Sequence, residues 1–213
     1  MNINPNAKRV LCFGDSNTWG ADPTNDNRYP ANVRWTGRLQ KLLGDNYEVI
    51  EEGQGGRTTN ISDPEKPWKN GKTYLRPCLE SHEPIDVLIV TLGTNDVKNI
   101  YNKAAEEIAQ GFEELILVVR EWAEDSGSQM PKIIIVSPSP VDEIRWTEDK
   151  VFVGGTEKTQ KLAGLYEALA NKHNCGFVDL GKYVKVDPVD GVHLSPASHK
   201  KIADVLCEKI KQL

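Results

Sequence analysis

The sequence predicts an α/β fold: one three-layer domain, residues 1–213, with helices on both faces of a central parallel sheet. Two observations lead there. Short continuous apolar runs recur, as in strands buried on both faces (Val10–Phe13, Val87–Leu92, Ile133–Val136). Amphipathic stretches with helical spacing lie between them.

The elements run in order along the chain. Val10–Phe13 reads as a strand ended by Gly14, and Val33–Leu43 as a helix through Trp35, Leu39, Leu42 and Leu43 that stops at Gly44. Tyr47–Ile50 is a second strand and Val87–Leu92 a third, bounded by Pro84 and Gly93. Ala104–Trp122 is a long helix with Ile108, Phe112, Leu115 and Val119 on one face. Ile133–Val136 is a strand closed by Ser137-Pro138-Ser139-Pro140. Lys158–Ala170 is a helix, Phe177–Leu180 a strand, and Ala197–Ile210 the closing helix. Three segments break the rhythm: 21–32, 139–155 and Thr58–Lys72. Loops this long in a compact domain usually serve function. The first two carry Tyr29, Val141, Ile144, Trp146, Val151 and Phe152. Such residues, if exposed, cover a pocket or meet a partner.

Composition narrows the function. A net charge of -5, with no basic stripe, argues against nucleic acid. No run spans a bilayer, and Val10–Phe13 behind Lys8-Arg9 is too short for a signal-peptide core, so a cytoplasmic home is expected. Cys12, Cys78, Cys175 and Cys207 lie far apart with no metal-ligand spacing, and no metal is expected.

The chemistry sits in the short segments at the ends of the strands. Gly14-Asp15-Ser16-Asn17-Thr18-Trp19-Gly20 comes after the first, Gly53-Gln54-Gly55-Gly56-Arg57-Thr58 after the second, and Gly93-Thr94-Asn95-Asp96 after the third. Asp190-Gly191-Val192-His193 precedes the last helix. Sites of doubly wound sheets lie at the carboxyl ends of the strands. A serine hydroxyl attacks a carbonyl only when a base takes its proton, and a carboxylate orients that base. Ser16, His193 and Asp190 fit those parts. The backbone N–H groups of Ser16 and Gly56 and the Asn95 amide fit the donors that an oxyanion needs. Asp15 and Asp96 read as loop-holding carboxylates and Arg57 as a buried brace. Trp19 reads equally as pocket wall or core. His82, His173 and His199 lack matching partners and read as surface or helix residues.

The segments GDSNTWG, GQGGRTT, GTND and DGVH resemble the four blocks of the SGNH (GDSL-like) hydrolase family, in the family's order. VRWTGRL, VIEEGQGGRTTNISDP, TLGTNDVK and GGTEKTQKLA further resemble its bacterial arylesterase and acyltransferase branch. The resemblance implies a flavodoxin-like fold, no cofactor, and hydrolysis of small-molecule esters through an acyl-enzyme, and together with the apolar residues of 21–32 and 139–155 it implies a homo-oligomer. It places the nucleophile on Ser16, the base on His193 and its orienter on Asp190, with Gly56 and Asn95 in the oxyanion hole. Many members have Leu where this chain has Asn17, a departure that leaves the polarity of the neighbouring pocket open, and Asn17 and Trp19 are the candidate substrate-binding residues. A carbohydrate O-deacetylase would use the same machinery. A nucleotide-binding module is a weaker alternative, since neither GxGxxG nor GxxxxGK[ST] is present. The nucleophile elbow GxSxG of the α/β-hydrolases is also absent.

Overall fold

A computed structural model describes residues 2–25, 27–146 and 150–213. Five strands, all parallel, form one sheet: β1 (Lys8–Gly14), β2 (Tyr47–Gly53), β3 (Val87–Thr91), β4 (Lys132–Ser137) and β5 (Gly176–Asp179), in the order β2-β1-β3-β4-β5. The helices are α1 (Ser16–Trp19, a single turn), α2 (Trp35–Leu43), α3 (Gly71–His82), α4 (Ala105–Ser126), α5 (Gly155–His173) and α6 (Pro196–Lys211).

The period-two alternation of a strand explains the layers. On β1, Val10 and Cys12 face α2 and α6 and pack with Trp35, Leu39, Ile202 and Leu206. Leu11 and Phe13 face the other way and pack with Leu75 and Leu79 of α3 and Phe112 and Leu115 of α4. β3 and β4 divide their side chains in the same manner, so both faces of the sheet are dry. Only β2 stays half-buried along its whole length, as an edge strand, and its charged Glu48, Glu51 and Glu52 suit that position. Arg34 grips Glu51 with two hydrogen bonds of 2.7 and 2.6 Å and so ties α2 to this edge.

The order β2-β1-β3 places the reversal of winding at β1, where chains leaving neighbouring strands diverge and open a crevice. The expected strands and four of the helices occur, with ends shifted by a few residues. Helix α3 is an addition. It begins inside the expected loop Thr58–Lys72, where Asn70 caps it by accepting from the Thr73 N–H, and it tolerates Pro77 in its interior.

The two other long segments differ from expectation. Tyr29, Val141 and Phe152 are buried in the chain's own core, and Val151 packs against it. Ile144 is exposed. The Trp146 side chain and residues 147–149 lie outside the described residues, as does Asp26. Most of the apolar content of these loops is therefore spent on their own attachment.

Candidate active site

Ser16 is the first residue of α1, close behind β1. Its neighbour Asp15 caps the turn by accepting from the Asn17 N–H at 2.9 Å. The turn closes at Gly20, whose φ of 90 is left-handed and glycine-favoured. A turn this short holds the Ser16 side chain at the sheet's carboxyl edge. The Ser16 N–H, at the first helical position, belongs to the donors that a helix leaves unpaired.

The other half of the site comes from the loop before α6. Gly191, with φ of 70, bends Asp187–His193 back on itself. Asp190 Oδ1 accepts the N–H groups of Val192 and His193, each at 2.9 Å, while Oδ2 meets His193 Nδ1 at 2.5 Å. Burial alone would push the Asp190 carboxyl up. The bonds from the His193 side chain and the two N–H groups outweigh it and hold Asp190 below its ordinary value, so the group facing the imidazole is a carboxylate. His193 Nε2 then lies 3.0 Å from Ser16 Oγ, across 177 positions of sequence. With Nδ1–H held by Asp190, Nε2 can accept the serine proton.

Asn17 joins the two halves. Its Nδ2 donates to the carbonyl of Val192, next to His193, at 3.2 Å, whereas its buried Oδ1 has no partner among the described residues. Trp19 is not a core tryptophan; that role belongs to Trp35 and Trp122. The Arg28 guanidinium covers its ring at 5.5 Å and donates to its carbonyl at 2.7 Å.

On the opposite side of Ser16, Asn95 is buried and donates one amide hydrogen to the Arg57 carbonyl at 3.0 Å, which leaves the second hydrogen for a ligand. Gly56 adopts φ of 79 immediately before Arg57. Arg57 is 2% exposed, lies over the rings of Phe13 and Tyr74 at 4.2 and 5.0 Å, and donates through Nη1 to the carbonyls of Gly14 and Glu52. It is the brace read from sequence. Asp96 accepts from the Thr59 N–H and hydroxyl at 2.8 and 2.6 Å. Burial pushes its carboxyl up to about 6 despite those bonds.

The remaining histidines are engaged elsewhere: His82 with Glu52 at 2.8 Å, His173 with Glu113 at 2.6 Å, and His199 with the Trp35 N–H at 3.2 Å. His199 is wholly buried rather than superficial. One group has metal-ligating character that sequence spacing did not reveal. Atoms of Glu52, Cys78 and His82 lie within 4.8 Å of one another, because α3 packs beside the end of β2. Glu52 is already bonded to His82 and to the Tyr74 hydroxyl, and the Arg57 cation stands close enough to act on both Glu52 and Cys78. That neighbourhood suits an internal ion network better than a metal. A surface cavity of about 490 Å³ is lined by Asn2, Ile3, Asn4, Gln40 and Asp45 at the amino ends of the strands, away from this chemistry.

Comparison with known proteins finds similar esterases. The M. smegmatis aryl esterase has a similar structure, with a TM-score of 0.91, 42% identity, and coverage of 97% of this chain and 100% of that one. A carbohydrate acetylesterase from Sinorhizobium meliloti is similar with a TM-score of 0.90 and 39% identity, covering 96% and 99%. An acetylxylan esterase from Xylanibacter ruminicola is 28% identical across 96% of this chain, which spans only 43% of that longer relative. Residues 12–201 match the GDSL-like Lipase/Acylhydrolase family, a stretch that holds Ser16, Gly56, Asn95, Asp190 and His193 alike, and the chain belongs to that family.

Proposed function

We propose that the protein hydrolyses small carboxylic esters through an acyl-enzyme on Ser16. One observation carries the reading: the unbroken hydrogen-bonded line from Ser16 Oγ through His193 to Asp190. Ser16 Oγ attacks the ester carbonyl while His193 Nε2 takes its proton. The N–H groups of Ser16 and Gly56 and the free Asn95 amide hydrogen receive the oxyanion. The tetrahedral adduct collapses, and the alcohol leaves with the proton from His193. Water then enters by the same route and releases the acid. Asp190 holds the ring and offsets its charge while it is protonated. No step needs a metal or cofactor.

Asn17 and Trp19 border the ester, and short acyl groups such as acetyl are the preferred substrates, with some transfer to small alcohols. Carbohydrate O-deacetylation is the second reading. It is favoured by Asn17, whose buried Oδ1 is available to a sugar hydroxyl, and by relatives that include carbohydrate and xylan acetylesterases. Among the described residues no helix is long and apolar enough to cross a membrane. The four free thiols suit a reducing, cytoplasmic setting. Exposed Ile100, Ile144 and Val153 favour a homo-oligomer, which light scattering would show as a mass above 23.8 kDa.

The test of the reaction is labelling by a fluorophosphonate. The adduct is expected on Ser16, and an adduct on another serine overturns the assignment. Rates on nitrophenyl acetate, butyrate and octanoate beside acetylated sugars separate the two readings, with acetyl esters faster than octanoyl esters.

A further inference from the structure

Two lysines that the chemistry above does not use stand beside the oxyanion donors. A methyl group built on the Gly56 Cα would come within 2.5 Å of Lys69 Nζ, so that ammonium lies against the Gly56 backbone. The Lys69 carbonyl accepts from the Thr58 N–H at 3.0 Å, which pins Lys69 to the loop that carries Gly56. Lys98 lies three residues beyond Asn95 and donates its N–H to the Asn95 carbonyl at 3.2 Å, and its Nζ lies 5.8 Å from the Phe152 ring centroid.

Both side chains are half-buried, and among the described residues neither has a carboxylate at ion-pair distance. Exposed lysines differ among themselves: Lys72, Lys103, Lys161, Lys200 and Lys211 have such partners, whereas Lys8, Lys41 and Lys66 have none among the described residues, so what sets Lys69 and Lys98 apart is half-burial beside the site. Burial, then the charge of Lys69, holds the Lys98 ammonium below the ordinary lysine range. Asp15 and Asp96 offset this from a distance, but each is occupied, Asp15 by the cap of α1 and Asp96 by Thr59. An ammonium kept partly out of water with no anion at ion-pair distance is a cost that an arriving anion would relieve. In a chain of net charge -5, a local pair of free cations next to the site also draws anions toward it.

We infer that Lys69 and Lys98 form an anion subsite flanking the Gly56–Asn95 side of the pocket, and that the preferred esters carry a carboxylate near the ester carbonyl. The inference rests on the ester-hydrolase reading and names its substrate class. The test compares kcat/KM on phenyl acetate, on 3-acetoxybenzoate, with the charge on the alcohol side, and on monophenyl succinate, with the charge on the acyl side. At low ionic strength at least one anionic ester should exceed phenyl acetate by roughly tenfold. Lys69→Met and Lys98→Met should each cut that ratio about fivefold, whereas Lys41→Met on exposed α2 should not. A second readout does not depend on turnover: benzoate should bind more tightly than benzamide by calorimetry, and the double variant should lose the difference. Unchanged ratios together with equal binding of benzoate and benzamide would overturn the subsite, as would an equal fall in Lys41→Met. No hydrolysis of phenyl acetate with benzoate still preferred would overturn the reaction and leave the subsite standing.

Discussion

The two sides of Ser16 are built differently. The His193 side is a short loop: Asp190 binds the N–H groups of its own turn, Asn17 adds one bond from the serine turn, the Asp142 N–H donates to the Gly191 carbonyl at 2.7 Å, and Val192 and Leu194 anchor the loop in the core. The Gly56–Asn95 side is a buried brace. Arg57 is sandwiched against Phe13 and Tyr74 and bonded to two strand-end carbonyls, while Asp96 is bonded twice to Thr59. A proton-transfer group must move slightly during reaction. Oxyanion donors serve best when fixed in advance, because reorganisation then costs nothing at the transition state. Polar residues on the first side therefore bear on rate alone, and those beneath the second bear on rate and stability together.

Substitutions sharpen that contrast. Ser16→Ala should lower turnover on a nitrophenyl ester by about a thousandfold or more, with the urea midpoint unchanged. Unfolding together with the loss would place Ser16 among the structural residues. Arg57→Met should lower stability by roughly 3 kcal/mol, since it strands two buried carbonyls and removes a buried charge from its partners. Its activity should fall with it, because Asn95 is anchored on the Arg57 carbonyl. A stable, fully active Arg57→Met would end the idea of a brace. Asn95→Ala should cost about a hundredfold in kcat with a smaller effect on KM. A change confined to KM would make it a binding residue. Asn17→Ala should cost about tenfold, the scale of one neutral hydrogen bond.

The smallest effect concerns pH. Burial holds the His199 imidazole down at about 4, with the charges of Arg38 and His193 acting in the same direction. A histidine depressed in the folded state keeps its stabilisation above the unfolded value and loses it as pH falls, here from about 6.5 toward 4. Moving from pH 7.5 to 5.5 should therefore cost on the order of 1 kcal/mol. Denaturant melts of His199→Asn, whose Oδ1 can still accept from Trp35, should show less of that loss. An equal loss would assign the acid sensitivity to other groups.

Much of the fold was legible because its signals are local. Val10–Phe13 and Val87–Leu92 are apolar without interruption, and that alone requires two covered faces. Helix α3 escaped because its cap, Asn70, sits among prolines and its interior holds Pro77. Tyr29, Val141 and Phe152 read as exposed loop residues because a loop sequence carries no periodicity to show which side chains turn inward.

For the site, sequence by itself determined the cast and its order: Ser16, Gly56 and Asn95 at three strand ends, and Asp190 with His193 before the last helix. A sharp turn, a glycine amide and an aspartate three residues from a histidine are written in a few neighbouring positions, so they can be read there. Tertiary structure alone decided what those residues touch. It set the 3.0 Å between Ser16 and His193, made Asn17 the tie between the two halves, buried His199, satisfied Glu52 beside Cys78 and His82, and left Lys69 and Lys98 without a carboxylate at ion-pair distance among the described residues. The reason is distance along the chain. A lysine's partner or lack of one depends on packing between segments many residues apart, and nothing adjacent to it in sequence records the result.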